Sequence, residues 1–316
     1  MKNPVLATFL AVTGLLAAAP AIAQSASAEG QGTAVVTVLP KHKGELAPNV
    51  NQRDIQSMKV AGKTAQVTSW QAFRNGPVEL VILIDEGARS SLGTQINDIQ
   101  KFVQSLPPNV KAAIAYMSNG QAMFSGTFTT DHGQVLKGLR LPEGLPGVDA
   151  SPYFCLSDLA KHWPSQDRTV RREVVAITDG VDYYYRRYDP DDPYVQAAIT
   201  DTVRSGIVVY SIYWKNTGRF DNTLYGNNTG QNLMDEVTQA TGGTNFWQGI
   251  GNPVSFQPYL EELTRRLNNQ YEVSFTAPLS GRPQVENFEF KLQAPGASVD
   301  APKEVIVVPQ TSAATQ

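Results

Sequence analysis

Two carboxylates stand at the ends of apolar runs in this sequence, Asp85 in "ELVILID" and Asp179 in "REVVAITDG". A long apolar run reads as a buried strand, and an acid at its carboxyl end stands where open α/β sheets bind ligands. Between them lies a hydroxyl-bearing helix start, Ser151 in "DASPYFCL", with Asp149 as a competing third group. Two carboxylates and a hydroxyl make the kind of oxygen cage that a hard cation such as Mg²⁺ accepts, with water filling the rest. The residues after Asp85 work against that chemistry. Gly87 has no side-chain oxygen, and Arg89 brings a permanent cation with donors only. The Arg89 guanidinium either bridges Asp85 and Asp179, supplying the charge a metal would bring, or points to solvent.

A second feature belongs to the same region. The stretch "DGVDYYYRRYDPDDPY", residues 179 to 194, mixes five Tyr and two Arg with Asp. That composition is enriched in protein-binding surfaces, and Tyr184, Tyr185, Arg186 and Tyr188 are the expected partner contacts. Its several Asp residues follow no recognisable Ca²⁺-loop spacing. Catalytic signatures are absent. His42, His132 and His162 show no paired metal spacing, and neither G-x-S-x-G nor a phosphate-binding glycine loop occurs. The expectation is a protein that is not an enzyme and has no resident cofactor, a divalent cation being the one conceivable ligand.

The elements that must position these groups alternate. From about residue 77 to 269, apolar strands ("ELVILID", "VKAAIAYM", "REVVAITDG", "IVVYSIYW") are separated by amphipathic helical stretches. This predicts an α/β domain, a doubly wound, mostly parallel, six-stranded sheet flanked by helices. Residues 33–76 and 270–310 are β-rich and are expected to form a small additional β layer. Residues 24–32, "QSASAEGQG", read as a flexible lead-in, and 311–316 as a tail. Residues 1–23 have the layout of a secretory signal peptide, Lys2 then an apolar stretch, with cleavage expected after Ala21-Ile22-Ala23. The expected location is therefore periplasmic or secreted, with no stable membrane anchor after cleavage. The single Cys155 lies on an apolar helical face and reads as a buried, inert thiol. A formal charge of −3 over 316 residues gives no reason to expect nucleic acid as a partner.

Residues 78 to 275 resemble the von Willebrand factor A-type domain, by order of elements and by motif. Asp85 matches the first Asp of that family's D-x-S-x-S, Asp179 in "ITDG" its last metal-site Asp, and Ser151 its Thr. "ATGGTNFW" at 240 to 247 is similar to its last helix-to-strand passage, and "LNNQYEVSFTAP" to a secreted bacterial branch. The resemblance implies a metal-ion-dependent adhesion site, with Gly87 and Arg89 replacing both serines. It implies a protein partner engaged by adhesion or complex assembly. An atypical metal-dependent hydrolase, or an accessory subunit of one, and a non-binding scaffold remain alternatives.

Overall fold

The computed structural model describes residues 28–42, 44–73, 76–185, 189, 191–215, 224–249, 251–279 and 281–310. The expected signal peptide, the tail, Arg186 and Tyr188 lie outside the described residues.

In chain order, a β-rich start comprises β1 (Ala28–Pro40), β2 (Ile55–Val60), β3 (Lys63–Thr64) and β4 (Gln66–Ala72). The central part runs β5 (Val78–Asp85), α1 (Ile96–Ser105), β6 (Val110–Ser118), β7 (Gln121–Phe124), α2 (His132–Leu136) and α3 (Pro152–Lys161). It continues β8 (Arg171–Thr178), α4 (Pro193–Arg204), β9 (Ile207–Tyr213), α5 (Leu224–Thr241), β10 (Asn245–Phe246) and α6 (Gln257–Leu267). The chain returns to β11 (Gln270–Leu279), β12 (Gln284–Leu292), β13 (Ala297–Asp300) and β14 (Glu304–Pro309).

The central elements form a sheet in the order β10-β9-β8-β5-β6-β7, parallel except for β7. Every residue of β5, β8 and β9 is buried, as expected of strands that carry apolar runs and are covered on both faces. One face packs on α1, α2 and α6 through Ile99, Phe102, Val135, Leu260 and Leu263. The other packs on α3, α4 and α5 through Leu156, Leu159, Ile199, Leu233 and Val237. The helices have local reasons to start where they do. Ser151 caps α3 and Asp192 caps α4, and each is followed by Pro at the first helical position, where its missing N–H costs nothing. Because β6 lies on one side of β5 and β8 on the other, winding reverses at β5/β8, the place where such sheets bind ligands.

The terminal strands form a separate sheet, β3-β2-β12-β14-β1-β11-β4, with β13 paired to β1. It curls around one apolar core that includes Val36, Met58, Phe275, Phe288 and Val307. One sequence expectation is corrected here. The segment 24–32, read as a flexible lead-in, is already strand from Ala28, in register with Leu279 of β11. Its glycines read as flexibility but provide close approach. A Cβ on Gly32 would overlap the ring of Phe275, and one on Gly30 would crowd Val307.

Candidate functional site

Asp85 and Asp179 come together at the β5/β8 switch point, since Ile84 pairs with Ile177 and the two strands end side by side. Both are buried. Asp85 Oδ1 accepts from the Gly87 N–H (2.7 Å) and Oδ2 from the Thr178 hydroxyl (2.8 Å). Asp179 Oδ1 accepts from the Val181 N–H (3.0 Å) and Oδ2 from the Tyr183 hydroxyl (2.7 Å). All four carboxylate oxygens thus accept hydrogen bonds from protein donors.

Ser151 borders the same place, and its Oγ accepts from the Phe154 N–H (3.4 Å) as the α3 cap. Asp149 is exposed, and its N–H donates to Asn119 Oδ1 (3.3 Å). Between Asp85, Ser151 and Tyr183 remains a cavity of about 10 Å³. A single water needs about 10–15 Å³. Among the described residues, no group of three or more His, Cys, Asp or Glu could hold a metal ion. The residues present do not fit a divalent cation of the adhesion-site kind, which needs open carboxylate oxygens and room for water ligands.

Gly87 and Arg89 lie in a 3-10 segment, Glu86–Gln95, that kinks at Arg89 (φ 54°, ψ −166°). A positive φ is uncommon for a non-glycine residue and marks an imposed backbone path. The half-buried Arg89 packs its aliphatic stem on Gly144, where a Cβ would stand 3.1 Å from Cγ.

Neighbouring groups with no obvious sequence signal shape this end of the sheet. Buried Glu86 accepts from Arg140 and from the Glu143 N–H (2.5 Å). Arg140 lies 3.8 Å over the Tyr116 ring, whose hydroxyl donates to Arg140 O (2.8 Å) and accepts from Arg140 N–H (2.7 Å). This knot pins the loop that leads to Ser151. Thr178 and Tyr183, which take up the carboxylates, were legible only in retrospect, as the hydroxyl before Asp179 and the first of three tyrosines. Gly180 (φ 69°) and Gly230 meet backbone to backbone, so that a Cβ on either would overlap the other turn.

The Tyr-rich loop is turned outward by Asp182, whose Oδ1 accepts from the N–H groups of Tyr184 (2.8 Å) and Tyr185 (3.1 Å). Burial pushes the Asp182 carboxyl up, against the pull of those backbone donors. Tyr184 packs on Phe154 (5.1 Å between centroids) and edge-on to Tyr194 (5.6 Å), leaving half of its surface open.

No family model matches the sequence, and no curated protein does. Solved structures similar to it include BatB from Bacteroides thetaiotaomicron, at 15% identity and a TM-score of 0.41 over 60% of this chain and 97% of that one. Another is the ArnB paralog VWA2 from Sulfolobus acidocaldarius, at 11% identity and 0.40 over 86% and 75%. A third is the manganese-loaded TRAP protein of Plasmodium vivax, at 12% and 0.39 over 74% and 96%. These similar structures are VWA-domain proteins, the von Willebrand factor A type that the sequence resembles.

Proposed function

We propose that this chain is an extracytoplasmic protein-binding module. It docks a protein partner on the face at the carboxyl ends of its parallel strands, by adhesion or complex assembly, without a bound divalent cation and without catalysis. The supporting observation is where the exposed large apolar side chains lie. Among the described residues, nine of the eleven, all but Leu46 and Met123, belong to loops or helix starts at that end. They are Leu141, Leu145 and Val148 before α3, Tyr184 and Tyr185 after β8, Leu224 and Tyr225 opening α5, and Trp247 and Val254 after β10. Val254 is 100% exposed and Val148 87%, far more than a rim that merely covers its own core requires. A ring of apolar and aromatic groups around a closed polar centre fits an interface whose energy comes from burying anchors. The expected signal peptide supports a location outside the cytoplasm.

The test is quantitative capture from cell-envelope extract by the wild-type protein and by a Trp247→Ser/Val254→Ser variant, with and without chelator. A partner retained by the wild type, lost by the rim variant and indifferent to chelation is expected. Equal retention by both proteins, or release by the chelator, would overturn it.

A further inference from the structure

The curled sheet does not close fully on the base of the α/β sheet. Glu272 of β11 and Glu304 of β14 alternate with Tyr271, Val273 and Val305, which fill the core of the curled sheet. The two glutamates therefore sit on the opposite side, where they line a cavity of about 120 Å³. That volume holds several waters or a small organic molecule, one water needing about 10–15 Å³. Arg168, Arg171 and Arg172, at the start of β8, line the same cavity.

The charges on these walls do not meet. Among the described residues, neither Glu272 nor Glu304 makes an ion pair, and neither does Arg168 or Arg172. Both glutamates are half-buried, and burial pushes their carboxyls up with no cation to oppose it. Arg172 is 2% exposed. Its Nη2 donates to Ser165 O (2.6 Å) and Asp167 O (3.2 Å), while its Nε makes no hydrogen bond. Burial first, and then crowding by Arg168, pull the Arg172 guanidinium below its usual range, against the opposing pull of Glu79 and Asp167, and it lies 5.4 Å over the Trp163 ring. Arg171 forms an ion pair with Glu173 (Nε to Oε1, 3.3 Å) yet makes no hydrogen bond through Nε or Nη1. Half-buried carboxylates with no cation beside them and buried guanidinium N–H groups with no acceptor are costly. A ligand with an anionic and a cationic end would satisfy both sets with charge-assisted hydrogen bonds.

We infer that this junction cavity binds a small zwitterion of the amino-acid class, its carboxylate held by Arg168 and Arg172 and its ammonium by Glu272 and Glu304. The site lies at the opposite end of the sheet from the apolar rim, so its fate and that of the docking face are read separately.

The test is calorimetric titration of the full protein with glycine, β-alanine and 4-aminobutyrate, which differ in charge spacing. Acetate and ethylamine serve as half-ligands. Saturable binding of at least one zwitterion is expected, with each half-ligand weaker by about tenfold or more. Glu272→Gln keeps the side chain's size and removes its charge, and Arg168→Gln alters an exposed residue, so both variants should fold. Each should weaken the zwitterion by about tenfold, with melting temperature unchanged or raised. Silence with all three zwitterions, acetate binding as tightly as they do, or unchanged affinity in both variants would overturn the inference.

Discussion

Glu173 lies at the base of β8 with none of its surface exposed, and Glu173→Gln is the substitution whose effect can be worked out most fully. Burial drives its carboxyl from 4.5 up to about 7, while Arg171 first and Gln270 second pull it back. The folded protein therefore holds a proton that the unfolded chain gives up near pH 4.5. The stability contributed by the neutral form is fully present below pH 4.5 and is lost as pH rises through about 7. At about 1.4 kcal/mol per pH unit, the span from 4.5 to about 7 converts to roughly 3 kcal/mol. Glutamine has nearly the same shape and carries no charge, so Glu173→Gln should match the wild type near pH 4.5. By about pH 8 it should be the more stable protein by up to roughly 3 kcal/mol. Urea unfolding of both proteins across that range measures the difference. Burial shifts Glu272, Glu304 and Asp182 in the same direction, but they are common to both proteins and cancel in it. A difference that does not change with pH, or a wild type more stable than the variant at about pH 8, would refute the reasoning. Either result would mean that the Arg171 pair outweighs desolvation.

Other outcomes follow from single contacts. Tyr183→Phe removes the hydroxyl that donates to Asp179 and should cost about 2 kcal/mol in urea unfolding, the range for a hydrogen bond to a charged group. Titration of the wild type with Mg²⁺, Mn²⁺ and Ca²⁺ should give no saturable heat, and uptake lost in Asp179→Ala would contradict the metal-free reading. Arg140→Ala leaves the buried Glu86 with only the Glu143 N–H and should cost about 2 kcal/mol, less than a fully buried pair because Arg140 is partly exposed. Gly230→Ala would drive a Cβ into Asp179 O and should lower stability by about 3 kcal/mol, visible as a clear fall in Tm.

The alternation of strands and helices was legible because β5, β8 and β9 each carry an apolar run, "LVILI", "VVAI" and "IVVY", a signal that survives without knowledge of the partners. Asp85 and Asp179 were legible for a related reason, since an acid that ends such a run has one place to be. Thr178 and Tyr183 were not. A hydroxyl in a strand and a tyrosine in a polar loop are ordinary residues, and their role depends on the register of β8 against β5 and on the turn at Gly180. The lead-in was misread because glycine has two uses. At Gly30 and Gly32 the missing Cβ admits neighbouring side chains, a cross-strand fact invisible along the chain. The junction cavity escaped sequence reading for the same reason, since its walls come from residues more than a hundred positions apart.

The closed centre and the apolar rim bear on one another. An adhesion site that works through a metal must keep carboxylate oxygens open, and its partner must supply an acid to complete the shell. Here Gly87, Thr178, Val181 and Tyr183 each donate to one of those oxygens from within. On the proposed metal-free reading the centre is a structural clamp that fixes the β5 and β8 turns, while the loop set by Asp182 leaves Tyr184 and Tyr185 exposed. The proposed docking face would move recognition outward, from a charge at depth to apolar area at the edge. A partner suited to such a surface needs aliphatic or aromatic side chains at the contact rather than a lone carboxylate. Its affinity should be nearly insensitive to salt, whereas an ion-centred interface would weaken as salt rises. Measuring the affinity of a captured partner across a tenfold range of ionic strength separates the two. A steep loss with salt would put the binding energy back in charged groups and remove the apolar rim from its central role.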